Sequence, residues 1–169
     1  MVKDHSQNGR AGLHCDLAPK DDPLLAMIPP GGPGDFILVM GQGGPADPSR
    51  YERLGYGRVI NSDTGYFDLE RDFYPYPSAH FKTILCFDLL ETLAHDPMHM
   101  MDEIHRVLRP ACHLVLTTRR FTRDQIRSLL ENCGLEVTLL ESREERVCAV
   151  ARKVGILRER YPGWLYPGR

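Results

Sequence analysis

Long apolar runs and paired cysteines are both missing from this chain of 169 residues. No stretch is long enough to span a bilayer, and the start at Met1-Val2-Lys3-Asp4-His5 lacks the features of a secretory signal peptide. The five cysteines are scattered, with no C-x-x-C pair, which favours small core residues in a reducing compartment over disulfides or structural zinc. We therefore expect a cytoplasmic protein without membrane contact.

An excess of charge of one sign is also missing. The formal net charge is -2, which leaves no electrostatic footprint for nucleic acid. The hydrophobic fraction of 42% and the charged fraction of 26% are ordinary for a globular protein. The length suits one domain with a substantial core.

The stretch from Phe81 to Thr118 reads as strand, helix and strand. Phe81–Phe87 is a short apolar run typical of a buried strand. Asp96-Pro97 is a helix-start signal, and Pro110 predicts where that helix stops. His113–Thr118 is a second strand. A crossover of this length joins parallel neighbours, so the pattern predicts an α/β fold with a mostly parallel sheet covered on both faces.

A glycine-rich turn follows an earlier strand. Phe36–Met40 reads as buried and runs into Gly41-Gln42-Gly43-Gly44-Pro45. Asp47-Pro48 then predicts a helix to about Leu54, whose free amides would face the glycine turn. Arg58–Asn61 reads as the next strand, and Asp63 lies about 20 positions after Gly41, where an acid can accept hydrogen bonds from ribose hydroxyls. The alternative is a plain strand-to-helix turn, with Asp63 as a turn former.

The segment after Asp63 is rich in aromatic residues and proline. Tyr66–Leu69 is a candidate third strand, and prolines make Arg71–Pro77 an extended loop. Such a loop either walls a pocket or seals itself against the core, and the second interpretation is favoured.

The C-terminal part predicts a helix and a hairpin. Thr122-Arg123-Asp124-Gln125 is a capping box, and the strands Leu135–Leu140 and Val147–Ala151 are close enough to pair antiparallel. We expect residues 1–33 to form a flexible arm, residues 34–155 the domain, and residues 156–169 an aromatic tail. The tail packs on the domain or on a partner, such as a second copy in a homodimer.

The combination resembles the class I S-adenosylmethionine-dependent methyltransferases, in particular the small-molecule "type 11" branch, over roughly residues 36–153. The segments that carry the resemblance most specifically are Phe67–Glu70, Leu85–Glu91, His95-Asp96-Pro97 and Glu103–Pro110. The resemblance implies a Rossmann-like sheet of seven strands in the order 3-2-1-4-5-7-6, with an antiparallel C-terminal hairpin.

The same resemblance implies a set of cofactor contacts. Gly41 and Gly43 would approach the methionine part of S-adenosylmethionine, and Asp63 would hold the ribose. The remaining implied contacts are Asp68 and Leu69 at the adenine, and Phe87 with Asp88 near the methyl group.

Several positions depart from the family pattern. Val39 stands in place of an acid, Lys82 follows Phe81 in place of an acid, and Ala111-Cys112 replaces a glycine pair. The main alternative is therefore a methyltransferase-like domain that lacks the cofactor and acts as a structural or regulatory partner. A nicotinamide-binding protein is a weaker alternative, since Ala46 takes the place of the third glycine in G-x-G-x-x-G.

The candidate reaction is direct methyl transfer to a small-molecule substrate. His95 is the candidate base, with Glu91 one turn before it as an orienting partner and Asp88 nearby. In the alternative interpretation, His95 is a helix-entry residue, Asp88 caps a turn and Glu91 is solvated. His95, Met98, His99 and Asp102 also suggest a metal site, with the two histidines on one helix face, but no third strong ligand is evident by spacing, so no metal is expected.

Overall fold

A computed structural model describes residues 23–41, 47–62 and 67–154. Six strands form one sheet in these segments. They are β1 (Phe36–Gly41), β2 (Arg58–Ser62), β3 (Phe81–Phe87), β4 (Leu108–Thr118), β5 (Leu135–Arg143) and β6 (Arg146–Lys153). The helices are α1 (Ser49–Glu52), α2 (Met98–Val107) and α3 (Arg123–Asn132), with short 3-10 turns at Leu25–Met27 and Leu90–Thr92.

The strand order is β2-β1-β3-β4-β6-β5. The first four strands of that order are parallel, and β6 is antiparallel to both β4 and β5. This is the predicted α/β class with its antiparallel C-terminal hairpin. When strand 3 is removed from the expected seven-strand order 3-2-1-4-5-7-6, the remaining strands have the same arrangement as the six observed here.

The predicted strand at Tyr66–Leu69 is wrong for the residues that the structure describes there. Residues 67–72 form a bend and a turn, because the Asp68 carboxylate accepts a hydrogen bond from the Glu70 N–H at 2.9 Å while the Asp68 N–H donates to Asp72 at 2.8 Å. An aspartate that hydrogen-bonds its local backbone in this way favours a turn over a ladder. The described sheet therefore has six strands.

Side-chain alternation along β1 explains why both faces of the sheet are covered. Leu38 and Met40 belong to one core with α2 and α3, whereas Ile37 and Val39 belong to a second core. That second core includes Tyr51 of α1. Helices on both faces of a parallel sheet are the arrangement that buries such strands.

The second core also contains part of the predicted N-terminal arm. Leu25, Met27 and Ile28 are buried there, and the Tyr56 hydroxyl donates to the Pro29 carbonyl at 2.7 Å. Residues 25–29 of the predicted arm thus contact the sheet and the residues packed on it. Residues 1–22 of the predicted arm and the predicted aromatic tail, residues 156–169, lie outside the described residues.

Helix α2 starts where Asp96-Pro97 predicted but ends before Pro110. The Asp96 carboxylate accepts the Met98 N–H at 2.8 Å, and Leu108 is already extended. Leu108 instead pairs with Phe81 of β3, and the Lys153 ammonium donates to the carbonyl oxygens of His105 and Leu108 at this end of the helix. A buried cation at a helix C-terminus satisfies carbonyls that have no partner inside the helix.

Helix α3 and the hairpin follow the sequence prediction closely. Both hydrogen bonds of the capping box between Thr122 and Gln125 are present. The turn between β5 and β6 holds Glu144 at φ 45° and Glu145 at φ 65°, and two consecutive positive φ values are the geometry of a tight type I′ hairpin. No helix in the described segments has the length and apolar character needed to cross a membrane.

Two departures from the family pattern, Lys82 and Ala111, have structural consequences at the edge of the sheet where the parallel strands begin. The ammonium of Lys82 and the guanidinium of Arg109 pair with Asp35 at 2.8 and 3.0 Å. The hydrogen bond from Lys82 is the main reason that the pKa of Asp35 lies below its usual value. Ala111 adopts φ 60° inside the register shift between β3 and β4, and a left-handed backbone strains a residue with a Cβ.

Replacing Ala111 by glycine is expected to stabilise the protein. The left-handed conformation costs alanine about 1–2 kcal/mol, and the greater freedom of glycine in the unfolded chain offsets part of that gain. We expect a net increase of about 0.5–1 kcal/mol in the free energy of unfolding, measured by urea denaturation. Ala94→Gly, at an exposed residue outside the positive-φ set, is the control and should lower it.

Candidate functional site

The strand register brings four chain segments to one edge of the sheet. Met40 lies beside Ser62, Gly41 beside Phe87, and Phe87 beside Thr117. The carboxyl ends of β1, β2, β3 and β4 therefore meet, which is where ligands bind on open parallel sheets. We call this the carboxyl edge.

Gly41 ends β1 in a conformation that requires glycine. Its φ is 87°, and a Cβ placed there would lie 2.1 Å from the Phe87 carbonyl oxygen. The glycine is therefore needed for the close approach of β1 to β3 at this edge. Gly43, predicted to approach the cofactor, and Asp63, predicted to hold the ribose, both lie outside the described residues.

Asp88 directly follows Phe87, which is fully buried. Asp88 has φ 47°, and its N–H donates to the carbonyl and the hydroxyl of Thr117. One carboxylate oxygen accepts from the Thr117 hydroxyl at 2.9 Å, and the other lies 2.7 Å from the Arg146 guanidinium. Both oxygens are thus engaged within the chain, and Asp88 ties β3 to β4 and β6.

Glu91 is engaged through one of its two oxygens. Oε1 accepts hydrogen bonds from the Thr118 hydroxyl, at 2.9 Å, and from the Arg119 N–H. Oε2 is buried and has no hydrogen-bond partner in the described part of the chain. The predicted orienting contact from Glu91 to His95 is not formed, because the carboxylate points to the end of β4.

His95 is oriented by a different acid. Its ring Nδ1 lies 3.5 Å from Glu70, whose carboxylate also accepts the N–H groups of Ala94 and His95. Burial by itself would raise the pKa of Glu70, but these hydrogen bonds, chiefly that from the His95 N–H, outweigh it and lower the pKa. The imidazole is largely exposed, with 72% of its side-chain surface accessible. The pairing of Glu70 with His95 is not visible in the sequence, since 25 residues separate the two.

The two predicted adenine contacts differ in exposure. Asp68 is exposed, and Leu69 is 7% exposed and packs in the core. Tyr74, further along this loop, is also buried, with its ring centroid 4.9 Å from that of Phe67. The aromatic segment therefore seals against the core, while Phe73 is 79% exposed.

A second buried oxygen lacks a partner at the carboxyl edge. Ser62 Oγ, at the end of β2, is buried and makes no hydrogen bond within the described segments. Buried polar atoms in proteins are normally paired, so the unpaired oxygens of Ser62 and Glu91 are sites where a ligand could supply the missing partner. In the described segments, no three His, Cys, Asp or Glu side chains group in a way that would hold a metal ion.

Comparison with known proteins links this fold to methyltransferases. A methyltransferase-domain family model matches residues 57–116, which run from the start of β2 into β4 and include Ser62, Asp88 and Glu91. No curated protein matches the chain.

Solved structures share the fold at low sequence identity. An S-adenosylmethionine-dependent methyltransferase from Mesorhizobium loti superposes with a TM-score of 0.62 at 15% identity, covering 76% of this chain and 95% of that one. The 1,6-didemethyltoxoflavin-N1-methyltransferase of Burkholderia thailandensis, with S-adenosylhomocysteine bound, gives 0.62 at 14%, covering 79% and 77%. A chain of the complex between the Haloferax volcanii Trm112 methyltransferase activator and a methyltransferase gives 0.61 at 15%, covering 78% and 88%.

These matches confirm the resemblance to class I S-adenosylmethionine-dependent methyltransferases. The chain has the Rossmann-like fold of that class, and residues 57–116 match the methyltransferase-domain family model.

Replacing Gly41 by alanine should destabilise the protein strongly. The substitution combines a left-handed residue with an overlap at 2.1 Å against the backbone of β3, so we expect a loss of at least about 2 kcal/mol in the free energy of unfolding. Gly34→Ala is the matched control, because a Cβ at Gly34 meets no atom within 4 Å. Equal denaturation midpoints for the two variants would contradict this account of Gly41.

Proposed function

We propose that the protein is an S-adenosylmethionine-dependent methyltransferase that acts on a small-molecule substrate by direct methyl transfer. The observation that carries this proposal is the position of the family match. Residues 57–116 contribute the ends of β2 and β3 and the segment 68–78 between them, which has no helix or strand and which we call the 68–78 loop. The resemblance places the cofactor at these positions.

The described residues of the carboxyl edge suit such a ligand. Ser62 Oγ is buried without a partner and stands directly before Asp63, so the end of β2 offers hydrogen-bonding groups to ribose hydroxyls. Leu69 is 7% exposed and Phe87 is fully buried, so both back this edge from within the core, behind the positions proposed for the adenine and the methyl-bearing part. Adjacent strands lie about 4.8 Å apart, so the edge from β2 to β3 spans roughly 10 Å, a distance suited to a nucleoside.

In this proposal S-adenosylmethionine supplies a sulfonium methyl group that a substrate oxygen, nitrogen or carbon can attack. The contribution of the protein is then mostly alignment and exclusion of water, since orientation alone can supply several kcal/mol of the barrier. Asp88, held by Thr117 and Arg146, fixes the floor of the edge beside Phe87.

A protonated oxygen or nitrogen nucleophile needs a base. We propose His95 for this role, with Glu70 as the residue that orients its ring through Nδ1. That contact leaves Nε2 to accept the proton, in the usual division of labour between the two nitrogens of a histidine. Glu91, through its unpaired Oε2, is the second candidate.

A second candidate function is a methyltransferase-like partner subunit without cofactor. The observation that favours it is the engagement of both Asp88 oxygens by Thr117 and Arg146, together with the single turn of α1 after the glycine segment. In this case the aromatic tail, residues 156–169, would contact another subunit, and a structural neighbour that occurs with the Trm112 activator is a precedent for such assembly.

Isothermal calorimetry with S-adenosylhomocysteine separates the two candidates. We expect a dissociation constant in the micromolar range for the full chain, which corresponds to a binding free energy of about 8 kcal/mol. The absence of binding heat with both S-adenosylmethionine and S-adenosylhomocysteine would reject the enzyme and leave the partner subunit.

Ser62→Ala tests the ribose end of the proposed site. The variant should bind S-adenosylhomocysteine about 5–10-fold more weakly, because a lost hydrogen bond is worth about 1 kcal/mol. Its stability should stay equal or rise, since the hydroxyl has no partner in the free protein. Asn61→Ala, at the exposed neighbour in β2, is the control and should leave the affinity unchanged. A lower melting temperature for Ser62→Ala with unchanged affinity would contradict the assignment of Ser62 to the ribose end of the site.

A further inference from the structure

Helix α2 holds the 68–78 loop through a charge pair formed by a buried glutamate and a partly exposed arginine. The Tyr74 N–H donates to Glu103 Oε2 at 2.8 Å. Arg106 donates to the same carboxylate through Nε and Nη2, the latter at 2.7 Å. We call Glu103 and Arg106 the α2 clamp.

The guanidinium of the α2 clamp reaches two carbonyls of the loop as well. Nη2 donates to the Tyr74 carbonyl at 3.0 Å, and Nη1 donates to the Tyr76 carbonyl at 2.9 Å. The Ala79 N–H also donates to the backbone carbonyl of Arg106 at 2.9 Å. One planar side chain thereby fixes the loop at two points, a task that suits the fork of donors on arginine and not the single ammonium of lysine.

Glu103 stays ionised although its side chain is buried. Only 5% of its side-chain surface is accessible. Burial would raise the pKa of Glu103, but the hydrogen bonds from Arg106 and from the Tyr74 N–H lower it. Arg106 is 30% exposed, and ion pairs with one partner near the surface add little net stability, so the main effect of this pair is to fix the geometry of the loop.

The amino-terminal half of the same loop is attached next to α2. Glu70 accepts the N–H groups of Ala94 and His95, and the His99 ring lies 2.9 Å from the Asp72 carbonyl. The loop that carries Asp68 and Leu69 is therefore fixed at both ends to residues 94–106. Its shape depends on these contacts, since no described residue pairs it with the sheet as a strand.

We propose that Arg106 is a positioning residue for cofactor binding. Through Glu103 and the carbonyls of Tyr74 and Tyr76, it holds the 68–78 loop in the conformation in which Asp68 and Leu69 meet the adenine. This inference rests on the function proposed above. Without the α2 clamp, the loop populates other conformations, and the apparent affinity falls with the fraction of molecules that remain competent.

The test compares Arg106→Gln and Arg106→Lys with the unmodified full chain by calorimetry at 15 °C, using S-adenosylhomocysteine and adenosine as probes. We expect Arg106→Gln to bind both ligands at least about 10-fold more weakly, by the same factor for each, since both carry adenine. Arg106→Lys keeps the charge but cannot span the carboxylate and both carbonyls. Its loss of affinity should therefore be smaller than that of Arg106→Gln but still measurable against the unmodified chain.

Leu130→Ala is the control for a purely structural effect. Leu130 is fully buried in α3, so this variant should lower the melting temperature at least as much as the Arg106 variants while leaving both affinities unchanged. Hydrogen exchange gives a second readout. The Tyr74 amide should exchange faster in Arg106→Gln than in the unmodified chain, and saturating S-adenosylhomocysteine should restore most of the protection.

Each outcome decides one way. Unchanged affinity in Arg106→Gln, with the unmodified chain binding normally, overturns the positioning role and leaves the proposed function intact. A loss for S-adenosylhomocysteine without a loss for adenosine also overturns it. If the unmodified chain binds neither ligand, the proposed function fails, and this inference fails with it.

Discussion

The site depends on the close contact between the ends of β1 and β3. Gly41 lies directly against the carbonyl of Phe87, at a distance that excludes any side chain. That contact aligns the ends of two parallel strands, and the register then brings Ser62 and Thr117 to the same edge. Every group that we assign to cofactor or substrate is attached to one of these strand ends or to the segment that follows it.

A second level of organisation is polar. Asp88 and Glu91 direct their carboxylates to Thr117 and Thr118 at the end of β4, and Arg146 completes the contact from β6. These hydrogen bonds join the parallel part of the sheet to its antiparallel hairpin. Through these contacts Asp88 and the Oε1 atom of Glu91 fix the edge in the folded chain, while Glu70 of the 68–78 loop is the partner of His95.

Much of the fold was predictable because it depends on local patterns. The apolar runs of β1 and β3, the capping box at Thr122 and the short hairpin link each specify a structure within a few residues of sequence. The strand expected at Tyr66–Leu69 was wrong because Asp68 hydrogen-bonds its own backbone, a contact that competes with strand pairing. The burial of Leu25 and Ile28, which lie within the predicted arm, was not predictable because it depends on a sheet face formed by distant residues.

The sequence by itself determined the class of fold, the parallel order around the glycine turn and the resemblance to methyltransferases, because apolar periodicity and turn residues act over short distances. Only the tertiary structure decided which polar groups pair. Glu70 with His95, Glu103 and Arg106 with the loop at Tyr74, and Lys82 with Asp35 are separated by 25 to 47 residues. Such pairs form when packing brings their backbones together, and no spacing along the chain encodes them.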